Sequence, residues 1–260
     1  MALLALLSPA KRLDFDSSVP DLPTSQARFA AQTQALAALA CTWTPDDIAA
    51  KMKLSGSLAQ LTFDRFQAFG TVQTQRPALF AFQGDVYRGL EAASLSFEQG
   101  LEAQDRLRIL SGLYGLLRPL DLIEPYRLEM GTRVETPAGA SLYAFWGRRI
   151  AEALNADAKD LGTSHLINLA SQEYFKAVDL KALAVPLVHC HFKERRGGVP
   201  KVIAFNAKRA RGLMARFLLT QGVETLAGLK DFEAEGYAYA PDLSDARNLT
   251  FLKEAHLKEA

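Results

Sequence analysis

The chain has 260 residues, 49% hydrophobic and 23% charged, with 30 Lys/Arg against 29 Asp/Glu and a formal net charge of +1. That is ordinary for a soluble globular protein, long enough for a full core, and free of low-complexity runs and internal repeats. Its two cysteines, Cys41 and Cys190, are too far apart in sequence for a Cys-x-x-Cys metal site and too few for a disulfide framework, which favours a reducing cytoplasm.

In chain order, residues 2–7 read as a buried first strand. The run is too short to cross a bilayer, has no basic leading region, and passes straight into Ser8-Pro9-Ala10-Lys11. Residues 25–40 are Ala-rich and helical. Thr44-Pro45-Asp46-Asp47 starts a helix, with Thr as N-cap, Pro at the first helical position and acids at the positive end. That helix should run to Lys53, followed by a tight turn through Leu54-Ser55-Gly56-Ser57 and a second short helix over 58–66. Residues 44–66 are thus a helix-hairpin-helix candidate, whose Ser55–Ser57 turn would aim backbone N–H groups at a phosphate beside Lys51 and Lys53. A purely structural αα-hairpin reads the same way.

Residues 78–82 read as a strand and 98–110 as a helix with charges on one face. In Ser111-Gly112-Leu113-Tyr114-Gly115 the paired glycines suit a helix C-cap; neither a P-loop Lys-Ser/Thr nor the dinucleotide spacing follows. A helix over 142–154 keeps Arg148 and Arg149 outside its apolar stripe. Strands follow at 165–169, 186–192 and 202–206, with a late one at 236–240. The expected fold is one compact mixed α/β domain spanning 1–260, a mixed sheet with surrounding helices.

Positive charge is concentrated in residues 192–217, which hold eight Lys/Arg and one acid, Glu194. Arg195-Arg196-Gly197-Gly198 should form the basic tip of a β-hairpin. The helix after it places Lys208, Arg209, Arg211 and Arg216 on one side, opposite Ala210, Leu213, Met214, Phe217 and Leu218. Gly212 sits within the basic side, where it costs about 1 kcal/mol relative to Ala and implies a close approach to the backbone. These cations bind an anion, or they are a solvated face paired with acids elsewhere; the pattern admits both.

His189 and His191 alternate on one strand face, but two imidazoles without a third ligand at a recognisable spacing do not make a metal site. No nucleophile elbow or characteristic Cys neighbourhood is present. Lys11, Asp85, Tyr87, Arg127, Glu129, Glu173 and Lys176 lie in polar clusters that would support acid–base chemistry in one cleft, or a buried network that orders the fold.

The segments carrying those residues resemble one family. Ser8-Pro-Ala-Lys11-Arg-Leu-Asp14, Phe82-Gln-Gly-Asp85-Val-Tyr87, Leu110-Ser-Gly-Leu-Tyr-Gly-Leu-Leu-Arg-Pro-Leu-Asp121, Pro125-Tyr-Arg-Leu-Glu-Met-Gly131, Asn168-Leu-Ala-Ser-Gln-Glu-Tyr-Phe-Lys176 and Lys208-Arg-Ala-Arg-Gly-Leu-Met-Ala-Arg216 are similar to the peroxide stress protein YaaA family, in the same order and over essentially the whole chain. The resemblance implies a cytoplasmic bacterial protein that keeps unincorporated iron low and binds DNA through a helix-hairpin-helix and a positive cleft, on an unusual α/β fold. Two positions depart from the family pattern: Gln83 stands where Lys is common and Arg12 where Thr is common.

Two readings follow. In the first, the chain is a non-enzymatic DNA-binding protein using Lys51, Lys53, Ser55, Ser57, Arg195, Arg196, Lys208, Arg209, Arg211 and Arg216, without cofactor, metal or membrane partner. In the second, it is an enzyme acting on a nucleotide-like or phosphorylated small molecule through the seven-residue cleft.

Overall fold

The computed structural model describes residues 2–71 and 74–254, the side chain of Arg196 excepted. Its strands are β1 (Leu3–Leu7), β2 (Arg12–Leu13), β3 (Ser25–Gln26), β4 (Arg76–Pro77), β5 (Phe82–Gln83), β6 (Leu107–Ser111), β7 (Gly115–Leu117), β8 (Asp121–Ile123), β9 (His165–Asn168), β10 (Leu187–Arg196), β11 (Val199–Lys201), β12 (Tyr237–Tyr239) and β13 (Asn248–Glu254). The helices are α1 (Ala30–Ala40), α2 (Pro45–Met52), α3 (Gly56–Gln67), α4 (Ala78–Ala81), α5 (Asp85–Leu90), α6 (Phe97–Arg106), α7 (Leu142–Trp146), α8 (Arg149–Asp160), α9 (Gln172–Phe175), α10 (Ala204–Thr220) and α11 (Leu226–Leu229).

The main sheet runs β12-β13-β10-β9-β1-β6-β7, with β11 added to β10. Strands β13, β10, β9, β1 and β6 are parallel to their neighbours in that series, and the hairpin partners β7, β11 and β12 are antiparallel. The sequence of β1, Leu-Leu-Ala-Leu-Leu, is apolar at every position and buried at every position, as a parallel strand covered on both faces requires. The chain passes from β1 to β6 on one side and later places β9 on the other. Crevices for ligands open at the carboxyl ends of parallel strands where the order reverses in this way.

The mixed α/β fold is the expected one, with several local corrections. Helix α6 stops at Arg106, and the end of the anticipated helix, residues 107–110, belongs with Ser111 to the fully buried strand β6. Gly112 therefore belongs to the β6–β7 turn and is not a helix cap. A Cβ there would stand 2.2 Å from the Leu128 carbonyl oxygen, so the segment 125–131 is what its bare backbone admits. Residues 78–81 are helical, not extended. The helix expected over 142–154 is broken at Gly147, which takes a φ of 49°. The helix expected over 25–40 starts at Ala30, because Ser25–Gln26 pairs with β8. The basic hairpin turns at Gly197-Gly198 as expected, but its second strand is Val199–Lys201, and residues from Ala204 onward already form α10.

Gly212 also reads differently in three dimensions. It is buried at the crossing of α10 and α5, where an added Cβ would lie 1.8 Å from the Val86 carbonyl oxygen. From the other side, a Cβ on Gly89 would lie 2.2 Å from the Arg209 carbonyl oxygen. The close approach is that of a helix, and the glycine serves packing after all.

Helix α2 starts as anticipated. Thr44 Oγ1 accepts from the Asp47 amide while the Asp47 carboxylate accepts from the Thr44 amide, a complete capping box. Lys53 ends the helix in the left-handed conformation and α3 packs back against α2, forming an αα-hairpin.

Candidate functional site

The loops after β1 and β9 meet at the switch point, where the Ser171 amide donates to Ser8 Oγ at 2.8 Å. Tyr87 Oη donates to the Ser8 carbonyl at 3.0 Å. Beyond them, Glu129 Oε1 receives Arg127 through Nε at 3.1 Å and Nη2 at 2.9 Å, with Lys11 Nζ 3.6 Å away. The other Glu129 oxygen, Oε2, is buried with no hydrogen-bond partner among the described residues. Two cations thus share one oxygen of a carboxylate whose second oxygen is free to accept.

Three phenols close in around this centre. Tyr126 is hydrogen-bonded to Ser111 Oγ at 2.7 Å, Tyr174 to the Met130 backbone, and Tyr87 to Ser8. Burial pushes all three well above the ordinary phenol range, so they stay protonated at neutral pH.

Of the seven cleft residues expected from sequence, Lys11, Arg127 and Glu129 meet directly. Glu173 Oε1 accepts from the Gly131 amide at 3.1 Å, and Lys176 lies over the Tyr143 ring at 5.1 Å, both beside the segment 131–143. Tyr87 stands behind Ser8. Asp85 is not part of the group; its carboxylate pairs with Arg88 one turn along α5 at 3.3 Å. Tyr126 and Tyr174 were missed as site residues, although both lie within the family-like motifs.

A groove of about 1120 Å³ runs between the end of α2 and the segment 131–143, with Lys51, Lys53 and Arg133 facing Glu135 along it. Gly131 lines it as well, so it adjoins the Glu173 end of the polar centre. Lys51 sits over the Trp43 ring at 5.4 Å. Ser55 makes no side-chain cap to α3, and its hydroxyl instead lies 3.4 Å from that of Ser57. Arg65, on the last turn of α3, has its pKa lowered by burial first and then by the charge of Arg127. Sequence reasoning singled out neither Arg65 nor Arg133, since each stands alone in its segment.

Three cations of the basic stretch are held by protein partners. Arg209 binds Glu235 at 2.6 Å, Arg195 binds Glu254 at 3.0 Å, and Arg216 donates to the Leu90 carbonyl at 3.1 Å and the Glu91 carbonyl at 3.2 Å. Lys208 is exposed. Arg211 is partly buried, which lowers its pKa, and meets no acid among the described residues. The Arg196 side chain lies outside the described part.

His189 and His191 do share a face, their rings stacked 6.1 Å apart. Each is held by an amide: His189 Nδ1 is 2.9 Å from Asn168 Nδ2, and His191 Nε2 is 3.1 Å from Asn248 Oδ1. Among the described residues no three His, Cys, Asp or Glu are placed to hold a metal ion, and no helix is long and apolar enough to cross a membrane. Burial, and then His191, depress the His189 pKa below its ordinary 6.5. The unfolded chain then binds the proton more readily, so the stabilising contribution is present above about pH 6.5 and is lost as pH falls through the folded value. Urea midpoints measured from pH 7.5 to 5 should decline, and His189→Gln should decline less steeply.

The two departures from the family pattern are structurally linked. Arg12 and Gln83 are direct partners across the antiparallel β2–β5 pair, so a cation absent from one strand is present on its neighbour.

Residues 3–243 match a family model described as peroxide stress protein YaaA. A UPF0246 protein of Verminephrobacter eiseniae is 51% identical over 257 residues, covering 97% of this chain and 99% of that protein. UPF0246 protein IL2146 of Idiomarina loihiensis is 46% identical over 254 residues, covering 96% and 98%, and UPF0246 protein Bpet1601 of Bordetella petrii is 49% identical over 256 residues, covering 97% and 100%.

Proposed function

The chain belongs to the peroxide stress protein YaaA family, and from that premise we propose that it is a cytoplasmic nucleic-acid-binding protein of the peroxide response. The observation that carries this reading is the groove where Lys51, Lys53 and Arg133 outnumber Glu135 beside the α2–α3 hairpin. Its lysines would neutralise phosphates while the uncapped start of α3 donates backbone N–H groups, in the manner of a helix-hairpin-helix. Such contacts read no base edges, so binding is expected to be sequence-independent and steeply weakened by salt. Lys208 on α10 is exposed, whereas Arg195, Arg209 and Arg216 already have protein partners.

Fluorescence anisotropy with duplex, single-stranded and bubble DNA across salt concentrations tests the proposal. Lys51→Ala/Lys53→Ala should flatten the slope of log affinity against log salt by about two units, one for each phosphate that a lysine no longer neutralises. A slope equal to wild type would remove the groove from the interface. The same variant, returned to peroxide-treated cells lacking the protein, should fail to hold down chelatable iron. Full restoration would separate iron limitation from nucleic-acid binding.

One observation favours a second reading. The unpartnered Glu129 Oε2, beside Lys11 and Arg127, suits acid–base chemistry on a phosphorylated small molecule. Glu129→Gln would then abolish turnover in a screen of such compounds while leaving DNA affinity at wild type; a variant with unchanged turnover would dismiss Glu129 as a catalytic base.

A further inference from the structure

A second cavity, of about 640 Å³, has Tyr87 in its lining but neither Lys11 nor Glu129. Its volume falls in the range of small-molecule sites, and its aromatic surface is that of Phe80, backed by the buried rings of Phe82 and Tyr87. Phe82 and Tyr87 pack with ring centroids 5.4 Å apart, and Phe80 remains partly exposed.

The polar groups of this cavity are unbalanced. Arg12, Arg76, Arg88 and Arg209 line it against two acids, Asp14 and Glu91. Asp14 keeps its negative charge, since its carboxylate accepts from neutral donors, Ser17 Oγ at 2.6 Å, the Asp16 and Ser17 amides at 3.0 Å each and Gln83 Nε2 at 2.8 Å. These bonds hold its pKa far below the ordinary carboxylate range, the Ser17 hydroxyl contributing most. Arg76 is 6% exposed, yet among the described residues its guanidinium donates only to carbonyls, those of Phe80 at 3.2 Å, Ser18 at 3.5 Å and Ser17. No acid pairs with it among the described residues, and its charge reaches Asp14 only at longer range. Arg88 and Arg209 have partners outside the cavity, Asp85 and Glu235, and Glu91 lies 3.8 Å from Arg216, which leaves Arg12 and Arg76 against Asp14, one positive charge in excess; Arg12, at the rim, has no acid beside it among the described residues. A partly exposed aromatic face beside an arginine that no acid pairs suits a flat ring carrying an anion.

We propose that this cavity binds a small aromatic phosphate of mononucleotide size, the ring against Phe80 and the phosphate at the rim on Arg12. The site shares no lining residue with the Lys51–Arg133 groove and stands whether or not that groove binds nucleic acid.

Calorimetric titration of the whole chain with AMP, with adenosine and inorganic phosphate as separate arms, tests it. AMP should bind saturably, at least about tenfold tighter than either part alone, because ring and phosphate each contribute. Arg12→Ala should weaken AMP at least about tenfold. Ala93→Trp, at an exposed alanine lining the cavity, should block it. Both variants should keep the wild-type unfolding midpoint and DNA affinity. Failure of AMP to saturate at millimolar concentration, wild-type affinity in both variants, or equal binding of phosphate alone would overturn the proposal.

Discussion

Gly212→Ala should cost about 3 kcal/mol, the upper end for overpacking a core, and lower the urea midpoint accordingly. The new Cβ would stand 1.8 Å from the Val86 carbonyl oxygen and 2.8 Å from the Leu90 amide nitrogen, both backbone atoms of α5. A crowded side chain escapes by changing rotamer, but here a whole helix must retreat. The retreat would open the packing of Ala210, Met214 and Ala215, all buried on α10. Gly56→Ala is the matched control, since nothing lies within 4 Å of its added Cβ, and it should leave the midpoint near wild type. Equal midpoints for the two variants would show that the α5–α10 crossing yields more easily than its geometry implies.

Asp157→Leu is the second large effect, about 3–5 kcal/mol, because it strands a buried guanidinium. Arg108 on β6 is 3% exposed and donates through Nε to Asp157 Oδ2 at 2.6 Å, while Arg28 reaches Oδ1 of the same carboxylate at 2.8 Å. Burial first, and then the charges of Arg28 and Arg118, lower the Arg108 pKa, while the hydrogen bond and charge of Asp157 oppose that shift. The carbonyls of Gln104 and Leu107, each 2.7 Å from Arg108 Nη1, satisfy protons but do not neutralise charge. Arg28 is more open and can turn towards water. Arg108→Met/Asp157→Leu should therefore be more stable than Asp157→Leu alone, since the double variant removes the buried charge with its partner. A double variant less stable than the single one in urea titration would refute this account.

Elements governed by neighbouring residues were legible in the chain. The Thr44 capping box, the Gly197-Gly198 hairpin turn and the apolar β1 depend on contacts within a few residues, and each occurs where its local signal lies. Strand β6 was not legible. Leu107-Arg-Ile-Leu-Ser continues the apolar spacing of α6, and a short buried run fits either period until its neighbours are known. Pairing with β1 decides it, because the unpaired backbone of an extended segment at the centre of the molecule would otherwise be buried without hydrogen bonds. Strand β13 was missed for a related reason: its hydrogen bonds come from β10 and β12, elements distant along the chain or formed only by folding back.

The candidate site divides in the same way. Lys51 and Lys53 were visible because they flank a helix turn, whereas Arg133 joins them only through a loop some 80 residues further on. Lys11, Arg127 and Glu129 were named from separate segments, but their meeting at one carboxylate depends on the reversal of strand order at β1. Asp85 was grouped with Tyr87 by adjacency; on α5 two residues are about 200° apart, so one faces Ser8 and the other Arg88.

By itself the sequence determined the α/β class, the family, the αα-hairpin and the concentration of cations in residues 192–217, all of which follow from local spacing or from ordered motifs. Only the tertiary structure decided which cations remain available. Charge is a property of a residue, but neutralisation is a property of its neighbours in space: Glu235 and Glu254, far from the stretch they serve, take up Arg209 and Arg195, while Lys51, Lys53, Arg133 and Arg12 are left facing open cavities.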